Sequence, residues 1–427
     1  MKTLITLITS LVLLSGCSSN QSEWTETTVA AGNASRSTVA VDRSNGIVYV
    51  AWTGTENAVS NIYLARLKRG EAAFSTPVWV NSNPGNASVG AQAPPQVVVS
   101  PNGFVYVAWI KQTRVEGRRF PASDIYVARS KDGGRTFAPG VTVAANKPSF
   151  PTGQNFHDIA VGPEGDVYVS WLDSRAGDQP SETESGQSKN VTAHNISAHN
   201  MPDGSEMQHM HHAGESKMQI RVARSTDNAK SFAPGKVVSR RTCECCRTGL
   251  TVGDDGRIYV VWRQIFDTQI RDIAIARSLN DGKDFTSPER VHRDNWQIEA
   301  CPHAGPSVVA DNGQIYVFWF TGAPGKAGVY MAKAKEGGLD FGKPVMLPGA
   351  SATSQVEADA NENGALWFVW ENYNKGKVKI GNDMKGSIDS SFATIKNARL
   401  PSIAATNNVA AVTWLAGDSV KARIYKF

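Results

Sequence analysis

Gly103-Phe-Val-Tyr-Val-Ala-Trp109 reads as a turn glycine followed by an alternating β-strand that ends in tryptophan. The pattern recurs. Its copies are Gly46-Ile-Val-Tyr-Val-Ala-Trp52, Gly165-Asp-Val-Tyr-Val-Ser-Trp171, Gly256-Arg-Ile-Tyr-Val-Val-Trp262, Gly313-Gln-Ile-Tyr-Val-Phe-Trp319 and Gly364-Ala-Leu-Trp-Phe-Val-Trp370. Val409-Ala-Ala-Val-Thr-Trp414 is a degenerate seventh. Successive tryptophans lie about 44 to 62 residues apart, except for the 91 residues from Trp171 to Trp262. A period of this size, with several strands in each unit, predicts an all-β fold of the β-propeller type. Each unit is expected to be a four-stranded blade; in the second, strands fall near 96–99, 104–110, 124–130 and 141–145. The seventh unit runs out of chain after 422–427, so its outer strand is expected from 23–30, closing the ring without an open edge. The count is seven blades, with six as the alternative.

Composition agrees. The chain has 427 residues, 41% of them hydrophobic, which is enough for a large core. Only 19% are charged and the net charge is +5, which excludes a disordered polyampholyte. No Lys/Arg stripe points to nucleic acid. Glycine (38), proline (20) and tryptophan (11) suit a turn-rich β protein.

Residues 1–16 read as an export signal, with Lys2 as its positive end and 4–14 as its apolar stretch. The segment Leu14-Ser15-Gly16-Cys17 resembles the lipobox of bacterial lipoproteins, in which the cysteine is lipidated and becomes the first mature residue. That resemblance implies a lipid anchor at Cys17, a linker over 17–23 and a propeller over 24–427. Ser18 and Ser19, with no Asp beside the cysteine, resemble outer-membrane sorting. The expected location is the cell envelope, on the outer membrane facing the periplasm.

Between the third and fourth strands of the second unit lies Ser130-Lys-Asp-Gly-Gly-Arg-Thr-Phe137, a match to the Asp-box, Ser-x-Asp-x-Gly-x-Thr-Phe. Ser225-Thr-Asp-Asn-Ala-Lys-Ser-Phe232 and Ser278-Leu-Asn-Asp-Gly-Lys-Asp-Phe285 are weaker copies. Asp and Gly make the turn and Phe plugs the hairpin into the blade. The mature chain therefore resembles the sialidase-like propellers with BNR (Asp-box) repeats. The motif is structural and lies on the face opposite that family's active site, so it carries no statement about activity.

Propeller connectivity sorts the remaining residues by face. The starts of the inner strands and the loops after the tryptophans share one face. At the inner-strand starts stand His157-Asp158, Cys243-Glu-Cys-Cys246-Arg247, Cys301-Pro-His303, Gln355 with Glu357, and Arg399. The post-tryptophan loops add Asp173, Arg175, Arg263, Glu371 and Tyr373. The long spacing puts an insert, about 174–218, on this face. It contains His194, His199, Met201, Met207, His209, Met210, His211, His212 and Met218, which is five of the eight His and four of the eight Met. Imidazole with thioether selects copper, and thioether is a soft ligand for Cu(I). Zinc would use the imidazoles but gain little from the thioethers.

Cys243, Cys245, Cys246 and Cys301 with His303 offer four thiols and an imidazole at two adjacent blades. Soft thiolates favour Cu(I) or zinc. His157 from the preceding blade is a further candidate. Disulfides are the competing outcome outside the cytoplasm. Cys301 can then pair with one of the three, whereas bridges within Cys243-Glu-Cys-Cys246 are tight. The expected function is copper binding for delivery, storage or detoxification, with the insert as a capture arm and a periplasmic copper-exchanging protein as partner.

The sialidase resemblance implies another class. That family clamps a carboxylate with three Arg and uses a Tyr nucleophile, a Glu and an Asp. Positions available on this face are Arg36, Arg247, Arg263 and Arg399, with Tyr373, Glu371 and Asp173. The family's Phe-Arg-Ile-Pro motif is absent, and seven blades depart from its six. A non-catalytic binding module is the third class.

Overall fold

The computed structural model describes residues 23–88, 93–118, 121–177, 198–200, 206–208, 216–335, 337–347, 356–372, 375–383 and 388–427. Seven four-stranded antiparallel sheets form the seven blades of a propeller. The second blade is Gln96–Val99, Val105–Thr113, Ala122–Ser130 and Val141–Thr142, close to the strands expected from the repeat. The ring closes as the chain ends require. Glu23–Ala30 pairs antiparallel with Ser419–Lys426, Trp24 opposite Tyr425, and supplies the outer strand of the seventh blade.

The repeated motif explains the core. Side chains alternate across a strand, so the Tyr and the Trp three residues later face opposite neighbours. Trp109 packs with Tyr49 and Val97 between blades one and two, while Tyr106 packs with Val169 and Trp171 between blades two and three. The same hand-over continues through Trp262, Trp319, Trp370 and Trp414, until Trp52 seals blade one against blade seven. Each interface has its own apolar cluster. Burying one such indole stabilises by roughly 4–6 kcal/mol. Outer strands must come close to these rings: a Cβ on Gly140 would sit 2.4 Å from Cη2 of Trp109.

The Asp-boxes are turn locks. Asp132 accepts hydrogen bonds from the Arg135 and Thr136 amides, the Thr136 hydroxyl and the Ser130 hydroxyl. These donors hold its carboxyl far below the usual range. Asp227 repeats the lock with Ser231, and Asn280 does so in weaker form. Phe74 and Phe341 plug hairpins in the same manner without an Asp-box, a role the motif search does not find.

Inner strands from all seven blades line a central channel of about 730 Å³. Side chains tie one inner strand to the next. Leu250 donates its amide to Asp158, Ala405 to Asp359, Ala358 to Ser307 and Val39 to Ser402, and Thr38 donates to the Pro95 carbonyl. The inner strands are thereby tied to one another around the channel.

Candidate metal centre and channel mouth

Two clusters occupy this face. The first lies in Cys243-Glu-Cys-Cys246, just before the inner strand Gly249–Val252 of blade four. The segment lies along the end of the next strand: Cys243 donates its amide to the Arg263 carbonyl and Thr242 bridges Gln264. The chain turns the three cysteines inward, leaving them 1%, 5% and 2% exposed, while Glu244 between them is exposed. The sulfurs are 3.7 Å (Cys243–Cys245), 3.6 Å (Cys243–Cys246) and 3.9 Å (Cys245–Cys246) apart. All four described cysteines are free thiols.

These spacings suit one metal ion. Sulfurs about 2.3 Å from a common centre lie about 3.8 Å apart in a tetrahedral site and about 4.0 Å apart in a trigonal one. The cluster can therefore bind a metal. Electrostatics favour a thiolate at Cys243. Hydrogen bonds from Cys245 and Cys246 and the nearby guanidiniums of Arg271 and Arg263 hold its pKa well below the usual thiol range. Burial pushes Cys245 and Cys246 up. Arg271 Nη1 reaches Cys243 Sγ at 3.4 Å.

The wider set expected from sequence is only partly assembled. Cys301 packs beside the three thiols. Among the described residues, however, only Cys243, Cys245 and Cys246 form a group of three whose ligand atoms all lie within 4.8 Å of one another. His303 and His157 are therefore not members of this group, because the backbone carries their imidazoles elsewhere. His157 is fully buried beside Ala108 and Arg247, and burial pushes its pKa down to about 4. Residues 178–197, 201–205 and 209–215 of the insert lie outside the described residues, and with them His194, His209, Met210, His211 and His212. His199 and Met207 face each other in a short strand pair, Ala198–Asn200 with Glu206–Gln208, but their side chains lie outside the described residues. Cys17 and Tyr373 also lie outside them.

Arg263 corrects an expectation. It is not a free clamp for a ligand but the hub beneath the thiols. It donates to the carbonyls of Ala304, Phe320 and Arg271 and lies over the Trp296 ring. Through these bonds it holds both Arg271 and the end of the Cys301-Pro-His303 segment. Gly305 lets that segment pass against the Arg247 backbone, where a Cβ would sit 2.5 Å from the Arg247 carbonyl oxygen. Asp173 is likewise committed. It is fully buried, accepts from the Trp171 indole and holds Arg175 through both carboxylate oxygens. Arg271, which touches the thiols, gave no signal in the sequence because it opens an ordinary third strand.

The second cluster reaches the channel through Arg247 and Glu357, which line it. Arg36 (blade one), Arg247 (blade four) and Arg399 (blade seven) meet Glu357 and Glu371 of blade six. Arg247 pairs with Glu357 at 3.0 Å and Arg399 lies 3.5 Å from Glu371. Glu371 also accepts the Leu400 amide, and burial pushes its pKa up. Arg36 is 4% exposed, and its Nε and Nη2 have no hydrogen-bond partner among the described residues. Burial and then repulsion from Arg247 push its pKa down to about 9, against the pull of both glutamates. Three guanidiniums against two carboxylates leave one unmatched positive charge, suited to an anion.

No family model and no curated protein matches the chain. Solved structures match along nearly its whole length. A polysaccharide lyase, an ulvan lyase bound to -[GlcA(1-4)Rha3S]-, is 13% identical with a TM-score of 0.54, covering 92% of this chain and 94% of its own. The α-L-arabinanase of Penicillium chrysogenum complexed with arabinobiose is 12% identical, TM-score 0.52, covering 94% and 98%. A leech intramolecular trans-sialidase is 11% identical, TM-score 0.48, covering 95% and 91%. At these identities the likeness is one of fold: the chain shares its propeller architecture with carbohydrate-active enzymes.

Proposed function

We propose that this chain is a soft-metal-binding propeller of the cell envelope, anchored through Cys17, that holds Cu(I) for delivery, storage or detoxification. The observation that carries the reading is the buried triangle of Cys243, Cys245 and Cys246, with sulfurs 3.6–3.9 Å apart. Three sulfurs suit Cu(I), a soft ion that thiolates select, whereas structural zinc sites close with four ligands. Arg271 and Arg263 offset the negative charge that three thiolates bring. Binding requires thiol deprotonation, so affinity should fall as pH falls. The test is anaerobic Cu(I) titration of the chain beginning at residue 18. One tightly held Cu(I) per chain, lost in Cys245→Ser/Cys246→Ser with the fold intact, is expected. Equal retention by the double variant refutes the thiolate assignment. Radiolabelled palmitate on the full chain, absent in Cys17→Ser, tests the anchor.

A second reading has its own support in the unpartnered Arg36. With Arg247 and Arg399 it suits a carboxylate-bearing saccharide, the class of ligand seen in the ulvan lyase. Calorimetric titration with glucuronate and glucuronate-containing oligosaccharides tests it. Uptake abolished by Arg36→Met supports a glycan site, and absence of uptake removes it.

A further inference from the structure

Three of the thiols are sealed, and the fourth is not. Cys243, Cys245 and Cys246 belong to blade four and are at most 5% exposed. Cys301 belongs to the segment that leads into blade five, is only partly buried and packs on the trio. Its neighbours Ala300, Pro302 and His303 are half-exposed too, and Glu299 is exposed. The segment is pinned behind Cys301 by Arg263, which grips the Ala304 carbonyl through two nitrogens. Cys301 is therefore held against the buried site while open to the surface. It does not complete the ligand group that the other three form.

We infer that Cys301 is the exchange ligand of this site, the thiol through which Cu(I) passes between an external carrier and the three buried sulfurs. The inference rests on the copper reading above. A ligand-exchange path needs a nucleophile that reaches both the incoming complex and the resident ligands, because exchange rates depend on access. Only Cys301 among the four described thiols meets both conditions. In loading, the Cys301 thiol gives its proton to water and its sulfur bonds the Cu(I) as one donor atom of the carrier leaves. Cys245 bonds next with loss of its proton, then Cys243 as the thiolate and Cys246 with loss of its proton, each as a carrier atom departs. The Cys301–copper bond breaks and Cys301 is reprotonated. Copper stays Cu(I) throughout, so no oxidant or reductant takes part. Unloading reverses the order. The partner that fits is a Cu(I) carrier able to give up one ligand at a time.

The experiment follows the rate at which Cu(I), supplied as its bicinchoninate complex, enters the chain and is later withdrawn by excess bicinchoninate. Wild type and Cys301→Ala are compared anaerobically, with circular dichroism confirming that both are folded. The variant should keep its stoichiometry and affinity while uptake and withdrawal both slow by about tenfold or more, because exchange depends on an accessible attacking thiol. In the apo wild type, limiting iodoacetamide should label Cys301 first and reproduce the slow loading. Unchanged rates in the variant overturn the inference. So does a lost or much weakened site, which makes Cys301 a resident ligand. A wild type that takes up no Cu(I) instead fails the copper reading itself.

Discussion

Replacing Arg36 with methionine should make the protein more stable and less able to hold an anion. Methionine keeps a stem of similar length and removes a guanidinium that is 4% exposed with two unpartnered nitrogens. The downward push of its pKa from 12.5 to about 9 corresponds to an upper limit of about 5 kcal/mol of unfavourable burial. That cost is fully present at neutral pH, below both values. Arg36 forms no ion pair among the described residues, so its removal should recover part of that cost, about 1–4 kcal/mol by analogy with apolar replacement of whole buried ion pairs. With an unfolding entropy of about 2 cal/mol/K per residue over 427 residues, the melting temperature should rise by about 1–4 °C. Differential scanning calorimetry measures the rise, and glucuronate titration measures the loss of binding. A fall in melting temperature would refute the reasoning, since Arg36 would then be holding the mouth together through Glu357 and Glu371.

Acid sensitivity offers an independent check. His157 is pushed down to about 4 from 6.5, so the unfolded chain takes up its proton first and stability is lost as pH falls through that interval, by up to about 3 kcal/mol. Asp158, pushed up to about 6 by burial, acts in the opposite sense, favouring the fold as it protonates. His157→Gln should therefore lose less stability on acidification than wild type, read as melting temperature against pH. Gly140→Ala should destabilise by about 1–3 kcal/mol, because the added Cβ meets the Trp109 ring and neither can retreat; urea unfolding measures this. Removing residues 18–31 from the chain that begins at residue 18 should leave Ser419–Lys426 as an open edge and increase self-association, as size-exclusion chromatography of the two would show.

The fold was legible because its determinants are local and repeated. Each Gly-x-x-Tyr-x-x-Trp copy states both blade interfaces of its unit, and the missing outer strand of the last unit implied its supply from Glu23–Ala30. The three close cysteines were legible as a cluster for the same reason: their spacing within four residues forces proximity. What depended on distant packing was not. Nothing local distinguishes Arg263, whose side chain spends its donors on three carbonyls, from Arg36, whose side chain leaves two nitrogens unmatched. Asp173 looked available until Trp171 and Arg175 were seen to fill it. His303 stands two residues from Cys301, yet its imidazole falls outside the thiol group, where His303 adopts a left-handed backbone at φ 50°.

The central claim is a three-sulfur metal centre, and X-ray absorption at the copper edge on the Cu(I)-loaded protein tests it most directly. Three sulfur neighbours at about 2.3 Å are expected, as for thiolate bonded to a closed-shell metal, with no nitrogen shell. A first shell made chiefly of nitrogen, or a loaded protein in which Cys243, Cys245 and Cys246 still titrate as free thiols, would contradict it.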